Sequence, residues 1–183
     1  MTRAFLAIKP PAVALDAIAT RVDPIAMPTA RRTPREQWHF TVQFLGDRAD
    51  VDAVASAFLR RPLDAGVGVL QLGGADAIGR RRRARILYLG LREGEEWMRE
   101  VAAQVEARLA PLGYGRDEES KEFLAHLTIA RFREPTDLRP LCAEIGAEAV
   151  GPAWRADEVI LYESVLSSTG ARHVERARLS TRG

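Results

Sequence analysis

Two short phrases in this chain share one pattern: His39-Phe40-Thr41-Val42 and His126-Leu127-Thr128-Ile129. Each is a histidine and a threonine two residues apart, separated and followed by apolar residues. Both lie in alternating apolar stretches that read as β-strands, where side chains two apart share a face. Each copy therefore aims one imidazole and one hydroxyl in the same direction. Two such strands side by side would furnish a cleft with two groups that titrate near neutrality and two hydroxyl donors. One neutral imidazole can accept a proton while a charged one donates. Threonine hydroxyls can hydrogen-bond non-bridging phosphate oxygens as charge builds on them. A strained cyclic phosphodiester suits this equipment.

The competing readings of the same residues are less economical. A single histidine of this kind is ordinary on the wet face of an antiparallel sheet. Two of the chain's three histidines in one pattern are not. A zinc site usually takes at least three protein ligands, and the tetrads have no Asp, Glu or Cys at ligand spacing, so no metal and no cofactor is expected. No Gly-x-Ser-x-Gly turn announces a serine nucleophile. The third histidine, His173, reads as a surface strand residue.

The elements that must carry these groups can be read from periodicity. Phe5 to Lys9 reads as a strand, and Pro10-Pro11 opens a helix running to about Val22. The first tetrad strand spans about Trp38 to Leu45 and is followed by an amphipathic helix carrying Val51, Val54, Ala55 and Phe58. Strands over Val67 to Leu72 and Arg85 to Leu91 flank a loop rich in Gly and Arg. A helix from about Glu95 to Leu112 stops at Gly113. A polar loop over Gly115 to Glu122 precedes the second tetrad strand, about Leu124 to Phe132. A short helix over about Thr136 to Ile145 and a final strand pair, Glu158 to Leu166 and His173 to Leu179, complete the chain. Helices alternating with strands, together with closely connected strand pairs, predict an α+β fold. Alternation puts His39, Thr41 and Gln43 on one face of the first tetrad strand, with Phe40, Val42 and Phe44 on the other. The second gives His126, Thr128 and Ala130 opposite Leu127 and Ile129, which sends Arg131 away from the catalytic face unless the strand bulges.

The bulk properties set outer limits. With 183 residues and 46% hydrophobic content, the chain can bury a core as one domain or two lobes sharing an interface. No run approaches the roughly 20 apolar residues that span a bilayer, and the N-terminus reads as a strand rather than a leader. Cys142 stands alone, which fits a reducing cytoplasm. The net charge is only +2, but nearly all positive charge is arginine, whose planar fork suits phosphate. Arg31, Arg32 and Arg35 precede the first tetrad. Arg80 to Arg83 form a second cluster in which Arg81 and Arg82 could meet RNA phosphates.

On these residues the chain resembles the 2H phosphoesterase superfamily, and within it the RNA 2′,3′-cyclic phosphodiesterases also called 2′-5′ RNA ligases. Arg3-Ala4-Phe5-Leu6-Ala7-Ile8 resembles the opening strand, and His39 to Gly46 the first motif block. Arg85-Ile86-Leu87-Tyr88-Leu89-Gly90 resembles the central strand, Phe123 to Arg131 the second block, and Leu161-Tyr162-Glu163-Ser164 the closing one. The chain departs from the family at Ala125, where proline is usual, and at His173, where an aromatic is common. The resemblance implies a single bilobal catalytic domain over 1–183, with two antiparallel-rich sheets, outer helices, a central cleft and pseudo-twofold symmetry. It also implies metal-independent hydrolysis of a 2′,3′-cyclic phosphate on RNA or a small nucleotide to a 2′-monoester, by a cytoplasmic monomer with no membrane partner. His39 and His126 would be catalytic, His126 as base and His39 as acid, with Thr41, Thr128 and Arg131 holding the phosphate. End joining through a 2′-5′ bond is the same chemistry in reverse, and a non-catalytic RNA-end or nucleotide-binding module would use the same cleft.

Overall fold

The computed structural model describes residues 2–59, 62–115, 123–167 and 170–182. Nine strands and four α-helices follow one another among the described residues. They are β1 (Ala4–Ile8), α1 (Ala12–Val22), β2 (Ala30–Arg32), β3 (Phe40–Phe44), α2 (Val51–Leu59), β4 (Gly68–Ala77), β5 (Ala84–Glu93), α3 (Glu95–Leu109), β6 (Leu127–Thr136), α4 (Arg139–Ile145), β7 (Val150–Ala156), β8 (Glu158–Ser167) and β9 (Gly170–Ser180). The polar loop read over 115–122 lies, apart from Gly115, outside the described residues.

All strands join one antiparallel sheet in the order β7-β4-β5-β6-β3-β1-β8-β9, with β2 pairing β6 off this path. The two sheets expected are instead one, because the tetrad strands pair across the junction. Two four-stranded halves meet at the tetrad strands β3 and β6, and their only register pair is Phe40 with Leu127. Each of these residues directly follows the histidine of its tetrad, so the pseudo-twofold runs between them. The halves also share a β-α-β-α order, β1-α1-β3-α2 and β5-α3-β6-α4, interrupted in the first by the short β2. α1, which leaves β1, packs on β7 in the other half, and α3, which leaves β5, packs on β3. The apolar faces of both helices fill one continuous core containing Ile18, Phe40, Val101, Val105 and Leu127.

Two strands escaped the sequence reading. β2 has only three residues, two of them arginines. β7 carries Gly151 and Pro152, which ordinarily argue against a strand but are tolerated at a sheet edge. Close packing explains Gly151: a Cβ there would lie 2.6 Å from Ala17 Cβ on α1. No helix among the described residues is long and apolar enough to cross a membrane.

Candidate active site

Each tetrad strand contains one residue too many for its neighbour. Ala7 pairs with Thr41 and Leu6 with Gln43, so Val42 is the extra residue on β3. Tyr88 pairs with Thr128 and Leu87 with Ala130, so Ile129 is extra on β6. Both bulges fall at the last position of the tetrad. A bulge reverses the face on which every later residue appears. Gln43, expected beside His39, is instead buried, its amide donating to the Tyr114 carbonyl in the segment after α3. Phe44, expected in the core, is 49% exposed and lines the cleft. Arg131 is likewise turned onto the face of His126. The burial sequences of the two strands match residue for residue from Phe40 and from Leu127.

The resulting cleft encloses about 720 Å³. His39, Thr41, His126, Thr128, Arg131 and Arg32 line it, as do Arg3 and Arg31. No carboxylate lines it among the described residues. Phe5 stacks on His39 with ring centres 4.8 Å apart, and Tyr88 meets the His126 ring edge-on at 5.7 Å. Each imidazole is therefore held by an aromatic side chain from the strand next to its own.

Backbone carbonyls fix the tautomers. His39 Nδ1 lies 2.7 Å from the Gln37 carbonyl, and His126 Nδ1 2.9 Å from the Leu124 carbonyl. A carbonyl can only accept, so each Nδ1 carries hydrogen and each neutral ring presents its Nε2 lone pair. Thr41 Oγ1 lies 3.2 Å from His39 Nε2. Burial, reinforced by the charges of His173, His126 and Arg131, lowers the His39 pKa to about 4, against a partial offset from the Gln37 hydrogen bond. Burial also lowers Arg131, helped by the neighbouring charges of Arg31 and Arg3. Neither Arg31 nor Arg131 is paired with a carboxylate among the described residues, which leaves positive potential focused in the cleft.

The arginines expected to meet RNA fall in different places. Arg32 donates to the carbonyls of Val22 and Ile25 while its side chain borders the cleft. Arg35 lies outside the cleft lining and is paired with Asp16. Arg81 also lies outside it, held on both oxygens of Asp76 at 2.6 and 2.9 Å. Arg82 is exposed in the same turn. His173, expected on a wet strand, lines the cleft and meets the His39 ring at 5.3 Å. Arg3 and Phe44 were missed as site residues. Arg3 sits over the Phe44 ring, 5.0 Å from its centre. For Phe44 the missed signal was the bulge, which alternation cannot show.

Comparison with known proteins decides the family. Residues 14–166 match the family described as the 2′-5′ RNA ligase superfamily.

The chain belongs to the 2′-5′ RNA ligase superfamily.

Within this superfamily of 2H phosphoesterases, the chain is 26% identical over 138 residues to an RNA 2′,3′-cyclic phosphodiesterase of Aeropyrum pernix, an alignment covering 74% of this chain and 77% of that one. Its fold is that of the Thermus thermophilus protein TT0787, with a TM-score of 0.73 and 25% identity over 99% of this chain and 98% of that one. E. coli LigT, solved with 3′-AMP, gives a TM-score of 0.77 at 21% identity, over 98% of this chain and 97% of LigT. The α+β fold and the 2H relationship expected from the tetrads are therefore both met.

Proposed function

We propose that this superfamily member hydrolyses a 2′,3′-cyclic phosphate at an RNA end or on a small nucleotide, leaving a 2′-phosphomonoester, with His39 and His126 as the acid–base pair and without a metal. The observation that carries this reading is the convergence of both His-x-Thr pairs on one arginine-lined cleft with no carboxylate in its lining among the described residues. Water attacks phosphorus in line with the bond to the 3′ oxygen. One imidazole takes the proton from the water as that bond breaks, and the other delivers a proton to the departing 3′ oxygen. The 2′ P–O bond stays intact. Thr41 and Thr128 donate to the non-bridging oxygens, whose charge grows in the transition state. Arg131 and Arg31 balance that charge, while the Phe44 ring offers a face on which a base can stack.

The donor set supports the metal-free route: no three His, Cys, Asp or Glu side chains converge among the described residues. The cleft also has room for an incoming 5′ hydroxyl in place of water, so joining of RNA ends by the reverse path belongs to the same reading. The working unit proposed is a cytoplasmic monomer, its single cysteine buried and unpaired. The deciding experiment is incubation of an RNA ending in 2′,3′-cyclic phosphate with the protein and excess EDTA. A 2′-monoester is the expected product. Tight binding without turnover would instead make the cleft a nucleotide-binding module.

A further inference from the structure

A second cavity adjoins the cleft and takes no part in the proposed reaction. It encloses about 280 Å³ beside the loop that follows β2, and Arg32, Thr33 and Pro34 line both spaces. This shared ridge is tied to the tetrad strand: the Thr33 N–H donates to the carbonyl of Ile129, the bulge residue of β6, at 2.8 Å. Beyond the ridge the walls are largely apolar, formed by Val22 at the end of α1, Pro34, Trp38 and Ile129.

Two features say what this cavity would hold. The first is that its charges are already matched. Arg32 faces Asp23 at 3.6 Å and donates to the Val22 and Ile25 carbonyls, and Arg35 is paired with Asp16. The cleft differs, since no carboxylate lines it among the described residues. Phosphate therefore belongs in the cleft, and a neutral group in the cavity. The second feature is Trp38. It is 5% exposed, and its indole N–H is the one buried side-chain donor without an acceptor among the described residues. A buried indole N–H ordinarily finds a partner. The volume lies just below the roughly 300–1,000 Å³ of sites for drug-sized ligands, which limits the occupant to a fragment. A nucleobase answers all of this: it is neutral, its faces are apolar and its edge carries acceptors.

We propose that this cavity receives the base of the nucleotide before the terminal one, so that the protein holds an RNA 3′ end by two bases across the Thr33 ridge. The inference rests on the proposed reading of the cleft, which seats the terminal nucleotide. The phosphodiester between the two nucleotides crosses the ridge on the side of Arg31. The preceding base packs against Val22, Pro34 and Ile129 with its edge towards Trp38, whose N–H gains the acceptor it lacks.

The test compares three ligands that carry the product phosphate and cannot turn over. They are a diuridine ending in a 2′-monophosphate, the same molecule with its first nucleotide abasic, and uridine 2′-monophosphate. Calorimetry gives the affinities, and NMR of the full chain follows the indole N–H signals. The chain has three tryptophans, and the Trp38 signal is the one missing in Trp38→Phe. The intact dinucleotide is expected to bind about 5- to 100-fold tighter than the abasic one, the worth of satisfying a buried donor. It should also move the Trp38 signal well beyond the effect of the other two ligands. Trp38→Phe should cancel most of the advantage over the abasic ligand. An abasic dinucleotide bound as tightly as the intact one, or a Trp38 signal that all three ligands leave alike, overturns the assignment. Both of these readings use the unaltered chain, so a poorly folded variant cannot mask them. The reaction is judged separately on cyclic ends. Hydrolysis with no base in the cavity would remove this inference alone, and a filled cavity without hydrolysis would remove only the proposed reaction.

Discussion

Phe40 and Leu127 are register partners at the junction of the two half-sheets, and each is the residue that follows a tetrad histidine. In an antiparallel pair this places Thr128 alongside His39 and Thr41 alongside His126. Each imidazole therefore works beside the threonine of the other tetrad as well as its own. A phosphate between them can meet four groups from two strands without help from a loop.

Removing either histidine should abolish most of the turnover. His39→Ala and His126→Ala are each expected to lower kcat by about 10²- to 10⁴-fold, the usual worth of a placed acid or base. The double variant should be scarcely worse than either single one, because the two act in one step. Equal and full activity in a single variant would exclude paired catalysis.

The threonines should act on the transition state more than on binding. Thr41→Val and Thr128→Val preserve shape while removing the hydroxyl, and each is expected to reduce kcat about 10- to 100-fold with little change in KM. Steady-state kinetics at several substrate concentrations separates the two parameters.

Charge in the cleft should be distinguishable from charge on the rim. Arg131→Gln and Arg3→Gln are expected to weaken binding of a short RNA and to make its salt dependence shallower, by about one counterion each. Arg81 is spent on Asp76, so Arg81→Gln should leave the salt slope nearly unchanged. Filter binding across a salt series gives the slopes.

Acid should destabilise this protein partly through His39. Its folded-state pKa of about 4 lies below the ordinary value of 6.5, so the unfolded chain binds more protons between those limits. Stability is therefore full above about pH 6.5 and declines as pH falls toward 4, by roughly 1–3 kcal/mol from this group. Urea unfolding of wild type and His39→Leu across this range should show a shallower acid decline in the variant.

Gly151→Ala should be costly for a residue at a sheet edge. The backbone there has φ +74°, which strains an alanine, and the new methyl would meet Ala17 on α1. A loss of about 1–3 kcal/mol is expected in thermal or urea unfolding.

How far the sequence could be read follows from where period and chemistry agree. The helices over Val51–Leu59 and Glu95–Leu109 were legible because their apolar residues recur at helical spacing. His39, Thr41, His126 and Thr128 were legible because they precede the bulges, where simple alternation still holds. Beyond Val42 and Ile129 alternation fails, and Gln43, Phe44 and Arg131 change sides together. No residue type announces this, since Val and Ile are ordinary strand residues. His173 was misplaced for a different reason. Its strand has solvent on much of one face, and only the sheet order, with β8 between β9 and β1, brings its start to the wall of the cleft where His173 meets Phe5. β7 was invisible because its glycine and proline speak against a strand that packing against α1 nonetheless supports.

The exchanged helices bear on how the molecule comes together. α1 is made early in the chain but finds its seat on β7, which is made late, and α3 from one half seals the other. α2 and α4 pack on strands of their own halves, whereas α1 has its seat across the boundary, so an N-terminal portion without β7 would leave the apolar face of α1 uncovered. The tetrad residues, drawn from both halves, therefore lie along the boundary that these two exchanged helices clasp from either side.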